Sequence, residues 1–81
     1  MIPIIIAAIE SPEDRDLMTD FFLEHKGLLY LEASKHLSSA EDIEDIVYEA
    51  LAKIIDKMDV FRDLQAGQRL KYAMTTVRNL S

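Results

Sequence analysis

An all-α fold with three main helices around one core is what the 81-residue sequence predicts, and three observations predict it. Apolar residues recur at spacings of three, four and seven over three separate stretches, which is the helical period. Only 2 Gly and 2 Pro are present, too few to turn the chain between many short strands. No run alternates apolar and polar residues long enough to make a strand, with Ile4–Ile6 as the one candidate.

The apolar opening, Met1–Ile9, raises the question of a signal or membrane segment. No Lys or Arg precedes it and Glu10 closes it, whereas a bilayer span needs about 20 apolar residues. It is expected to form a short extra helix or turn that packs on the bundle or on a neighbouring chain. Ser11-Pro12-Glu13-Asp14 then reads as a helix start. Ser11 can cap, Pro12 occupies the first helical position where a missing N–H costs nothing, and two acids suit the positive end of the helix dipole. Leu17, Met18, Phe21, Phe22, Leu28, Leu29 and Ala33 supply a wide apolar face for one long helix. Gly27 lies inside it and weakens it by about 1 kcal/mol relative to Ala.

Ser38-Ser39 ends that pattern and offers two capping arrangements, Ser38 with Glu41 or Ser39 with Asp42. The second helix buries Ile43, Ile46, Val47, Ala50, Leu51, Ile54 and Met58, and its opposite face carries Glu41, Asp45, Tyr48, Glu49, Ala52 and Asp56. Asp59 to Gly67 reads as an irregular connection whose Phe61 and Leu64 can cover the core. A third helix follows, with Leu70, Ala73, Met74, Val77 and Leu80 buried. Its other stripe is Gln68, Lys71, Tyr72, Thr75 and Asn79, flanked by Arg69 and Arg78.

Composition narrows the chemistry. With 49% apolar and 30% charged residues the chain is expected to fold. No Cys is present, which removes disulfides, thiolate metal sites and a cysteine nucleophile and is compatible with the cytoplasm, the expected location. His25 and His36 stand eleven residues apart, ~16 Å along one helix, and cannot share a metal by themselves. The acids Glu41, Asp42, Glu44, Asp45 and Glu49 wrap around a helix and lack the glycine and loop spacing of a calcium site. No HExxH, phosphate loop or nucleophile elbow occurs, so neither an enzyme, a metal nor another cofactor is expected.

The charge is more telling in its distribution than in its total of −6. Residues 1–59 hold 14 acids and 5 bases, net −9, while residues 60–81 hold 1 acid and 4 bases, net +3. From Leu64 onward there is no acid at all. Arg and Lys suit phosphates, Tyr72 offers a stacking face, and Gln, Thr and Asn offer groups for base edges. The plain alternative is that the cations only complement a helix C-terminus.

The run Glu44-Asp45-Ile46-Val47-Tyr48-Glu49-Ala50-Leu51, followed by Ile54-Ile55-Asp56-Lys57-Met58-Asp59, resembles the second region of the sigma-70 family. Members there often show Ala-Glu-Asp-Leu/Ala-Val-Gln/His-Glu-Ala-Phe. The stretch from Arg69 to Ser81 is similar to that family's promoter-reading helix, which commonly ends in an Arg-Asn pair, here Arg78-Asn79. An apolar opening followed by Glu13-Asp14-Arg15 is similar to small sigma factors of the extracytoplasmic-function type in Gram-positive anaerobes. The resemblance covers residues 13–81 and rests on the order and spacing of these stretches.

What the resemblance implies is a dissociable subunit of bacterial RNA polymerase. Such a region docks on the coiled-coil clamp helices of the β′ subunit, recognises the promoter −10 element and captures its non-template strand as the duplex opens. By position, Asp45, Tyr48 and Glu49 fall on the polymerase-binding face, with Tyr48 standing where Gln or His is usual. Arg62, Gln65, Gln68, Arg69, Lys71, Tyr72, Thr75, Arg78 and Asn79 fall on the DNA side, with Tyr72 the only ring on a helix that in many members carries Trp. An anti-sigma factor and self-association through the apolar opening are further expectations. Residues 1–81 are expected to be a single domain, the N-terminal part of a longer chain whose −35-reading helix-turn-helix domain would follow. The competing expectation is an acidic helical adaptor that binds protein and has no DNA role.

Overall fold

A computed structural model describes residues 2–81. It is all-α, as the periodicity predicts: five helices and, among the described residues, no strand. They are α1 (Ile4–Ala7), α2 (Pro12–Ser34), α3 (Ala40–Asp56), α4 (Met58–Asp63) and α5 (Ala66–Leu80). The three long helices α2, α3 and α5 pack on one another, and the two short ones close the ends of the bundle.

The helix starts follow their sequence signals. Ser11 caps α2 by accepting a hydrogen bond from the Asp14 N–H at 3.3 Å, with Pro12 at the first position. Of the two arrangements open at Ser38-Ser39, the chain uses the later: Ser39 accepts from the Asp42 N–H at 3.4 Å. Caps of this kind each contribute about 1 kcal/mol. Gly27 does not break α2, which runs unbroken for 23 residues. Neither glycine has positive φ, so neither is required by a turn.

The core is one layer of side chains between the long helices: Met18, Phe21, Phe22, Leu29 and Ala33 from α2, Val47, Ala50, Leu51 and Ile54 from α3, and Ala73 and Val77 from α5. Phe61 of α4 is 0% exposed and seals the bottom, its ring edge-on to Phe21 with centroids 5.1 Å apart. Ile6 of α1 seals the other side. The apolar opening therefore packs on its own bundle, as one helical turn; Ile4–Ile6 is not a strand. Met1 lies outside the described residues.

Four expectations are corrected. The stretch from Asp59 to Gly67 is not an irregular connection: all but Leu64 and Gln65 is helical, because Lys57 (φ −113°, ψ 34°) bends the chain and restarts it as α4. Met58 belongs to α4 rather than to the end of α3. Leu28 is not a core residue but 44% exposed, since the α2 face turns at Leu29 and Glu32 takes the buried position one turn on. Tyr48, read on the polar side of α3, is half-buried and packs against the core.

Candidate nucleic-acid interface

The first turn of α5 is tied down by residues of the sequence-predicted DNA face. Gln68 reaches back one turn and its Oε1 accepts from the Gln65 N–H at 3.1 Å, holding the start of the helix. Arg69 reaches across to the end of α4, where Nε donates to the Phe61 carbonyl at 3.1 Å and Nη2 to the Arg62 carbonyl at 2.7 Å. A guanidinium on the carbonyls at a helix C-terminus adds a donor to each, the Phe61 carbonyl also accepting from the Leu64 N–H at 3.2 Å, and offsets the negative end of the dipole. Arg62 is also engaged within the fold, forming a bidentate pair with Asp14 through two bonds of 2.9 Å. Hydrogen bonding from Arg62 holds the Asp14 carboxyl below the usual carboxylate range.

Farther along α5 the predicted residues stand free. Lys71, Thr75 and Asn79 are exposed and Tyr72 is half-buried, resting on Phe61 with ring centroids 5.9 Å apart at 66°. The Tyr72 ring is thus braced from below and open at its rim. Shallow grooves lie on either side. One, of about 570 Å³, runs past Leu64, Gln68, Lys71, Thr75 and Thr76. The other, of about 410 Å³, lies between α5 and the end of α3 and is lined by Lys53, Asp56, Lys57, Thr76 and Asn79.

Lys53 and Lys57 are additions that sequence reasoning missed. They belong to the acidic half by position along the chain, and the packing of α3 on α5 carries them next to Tyr72. Among the described residues Lys53, Lys57 and Lys71 form no ion pair. Their spacing of four, from Lys53 in the last turn of α3 to Lys57 at its C-cap, is the advance signal, since a helical pattern places such residues on one stripe.

Arg78 sits apart from these. Its Nε is 3.6 Å from Oε2 of Glu32, a carboxylate only 3% exposed that is also approached by Lys35 at 3.5 Å and His36 at 4.0 Å. Burial pushes the Glu32 carboxyl up, but Arg78 and Lys35 outweigh it and leave it below its ordinary value. The sequence carries half of this site in advance, a glutamate between Leu29 and Ala33 on an apolar face, and nothing that names Arg78 as its partner.

On the turns of α3 that precede Lys53, Asp45 and Glu49 are exposed and, among the described residues, unpaired. Tyr48 is next to them but faces α1 and α2. Burial, then its Tyr48 neighbour, pushes the Tyr30 phenol up to about 12. Among the described residues no three His, Asp or Glu side chains gather as a metal would require, and no helix is long and apolar enough to cross a membrane. Comparison with protein-family models, curated proteins and solved structures finds no match for this chain.

Proposed function

We propose that this domain is a sigma-70 region-2-like module, which docks through α3 on the β′ clamp helices of RNA polymerase and engages the opened −10 element of a promoter through α5. The observation that carries the proposal is the division of free charge along the bundle: Asp45 and Glu49 on the earlier turns of α3, and Lys53, Lys57 and Lys71 around the braced Tyr72 ring, all exposed and, among the described residues, none in an ion pair. The resemblance over residues 13–81 assigns these surfaces their partners. The cations hold phosphates, the Tyr72 face stacks on an unpaired base, and Thr75 and Asn79 reach base edges. Such a module makes and breaks no bond and supplies binding energy for strand separation. At a net charge of −6 the domain alone binds DNA weakly, and the polymerase brings the strand to it.

The test is binding of the chain to an isolated β′ clamp-helix fragment, and of the reconstituted polymerase to a −10 non-template strand. Asp45→Ala with Glu49→Ala is expected to abolish the first. Lys53→Ala with Lys71→Ala is expected to weaken the second and to lower its salt slope by about 0.7 for each phosphate that is no longer neutralised. No clamp binding by the wild type, or an unchanged salt slope, would sink the respective half of the proposal. A second reading, an acidic helical adaptor with no DNA role, is favoured by Leu23 and Leu31, both about half exposed and eight residues apart on the outer side of α2. The salt-slope measurement separates the two.

A further inference from the structure

Among the described residues one charged side chain is buried. Glu32, only 3% exposed, stands between Leu29 and Ala33 on the core-facing side of α2. An ionised carboxylate taken out of water is costly unless cations meet it. Here they do: Lys35 Nζ donates to Oε1 at 3.5 Å, Arg78 Nε lies 3.6 Å from Oε2, and His36 Nε2 lies 4.0 Å from the same oxygen. Lys35 and His36 are the C-cap of α2 and its neighbour, whereas Arg78 comes from α5. Among the described residues the Glu32–Arg78 pair is the one ion pair that joins α2 to α5.

Arg78 lies in the last turn of α5, beside Asn79. Tyr72, Thr76 and Asn79 line both grooves of the candidate interface, with Asn79 ~10 Å beyond Tyr72 along the helix axis. Helix ends fray, and an amide on a last turn reads a base edge only where that turn is held. Val77, 0% exposed, fixes the turn to the core at one point, about which it can still swing. Arg78 on Glu32 supplies a second point. Successive helical side chains diverge by ~100°, so with Val77 in the core and Arg78 on α2, Asn79 faces away from both, into the groove beside Lys71.

We infer that Glu32 is a positioning residue for the DNA face: acting through Arg78, it holds the last turn of α5 against α2 and fixes Asn79 where it meets a base. The inference rests on the proposal that α5 engages an opened strand, and adds to it a buried residue of another helix. It also accounts for a charge in the core: an apolar residue at position 32 fills the same space and gives Arg78 nothing to hold. Arg78 thereby acts on the strand through its neighbour and not as a phosphate contact.

The experiment measures binding of polymerase reconstituted with the chain to labelled single strands that differ by one base at each −10 position, over a salt series, with thermal unfolding of each variant. The wild type is expected to prefer one base at one position by about tenfold through Asn79, the weight of a good amide–base pair, and Asn79→Ala to erase that preference. Glu32→Met is expected to cut the same preference to under about twofold and to leave the salt slope unchanged, because no phosphate contact is lost. It should melt with the wild type or above it, since an apolar side chain suits the site and Arg78 and Lys35 return to water. Arg78→Met should act on preference and slope as Glu32→Met does, and the double variant should do no more than either. If Glu32→Met keeps the preference, or Arg78→Met alone lowers the salt slope by about 0.7 as a lost phosphate contact does, the positioning role is overturned. It is overturned also if Asn79→Ala changes no preference. In each of these cases Lys53→Ala with Lys71→Ala still reports separately on the interface, and if the wild type fails to bind the strand both readings fall.

Discussion

The α4–α5 turn and the outer face of α5 carry the same residue types and use them differently. At the turn, Arg62, Gln68 and Arg69 are engaged by the chain itself: a carboxylate on α2, a backbone N–H, and two carbonyls at the end of α4. Up to about three turns on, Lys71, Thr75 and Asn79 project into solvent around a half-buried Tyr72. Basic and amide side chains near helix ends are drawn to unsatisfied backbone groups, and those in the middle of a helix have none to satisfy. A face rich in Arg, Lys and Gln is thus only partly available for a ligand. Its free part lies beyond the first turn of α5, together with what the end of α3 adds, here Lys53 and Lys57.

The contrast can be broken most directly at Arg69. Arg69→Ala removes both bonds to the α4 carbonyls and is expected to lower unfolding free energy in urea by about 1.5–3 kcal/mol, the range for hydrogen bonds to a charged group. A loss under about 0.5 kcal/mol would make Arg69 as free as a surface residue and dissolve the distinction.

Acid titration gives a smaller, directional test. The folded pKa of Asp14 is depressed by Arg62, so the stabilisation is present above the unfolded carboxylate value and is lost as pH falls through the folded one. Glu32 is depressed also and acts with the same sign. The melting temperature should therefore fall below about pH 4, and Asp14→Asn should flatten part of that acid limb. A limb unchanged by Asp14→Asn would show that the Arg62 pair does not hold in solution.

The smallest effect is expected on the free face. Lys71→Ala and Asn79→Ala should each change unfolding free energy by no more than about 0.5 kcal/mol in the same urea experiment. A loss above about 1 kcal/mol from either would assign it a structural task like that of Arg69 and shrink the candidate interface.

Much of this fold was legible in the residues. Ser11 and Ser39 cap the helices that follow them, the 3–4 spacing locates the buried faces of α2, α3 and α5, and Phe61 covers the core as its position suggested. What escaped has a common cause. α4 has six residues, too few for a period to register, and exists because Met58 and Phe61 bury against the long helices. Leu28 satisfies the period of α2 as well as Leu29 does, and only the positions of α3 and α5 decide which of the two is covered. On the candidate interface, Arg62 and Arg69 were indistinguishable from Lys71 by type, and their partners lie 48, 8 and 7 residues away.

The sequence by itself determined the class and the number of long helices, because capping and hydrophobic period are local properties of the chain. It also determined that positive charge gathers toward the C-terminal end. Only the tertiary structure decided which of those charges are free. That choice depends on which carboxylate or helix end each cation meets when distant segments pack, and no local pattern encodes those meetings. Tertiary packing likewise placed Lys53 and Lys57 beside Tyr72, so the face proposed for DNA is a product of helix packing rather than of any single stretch of sequence.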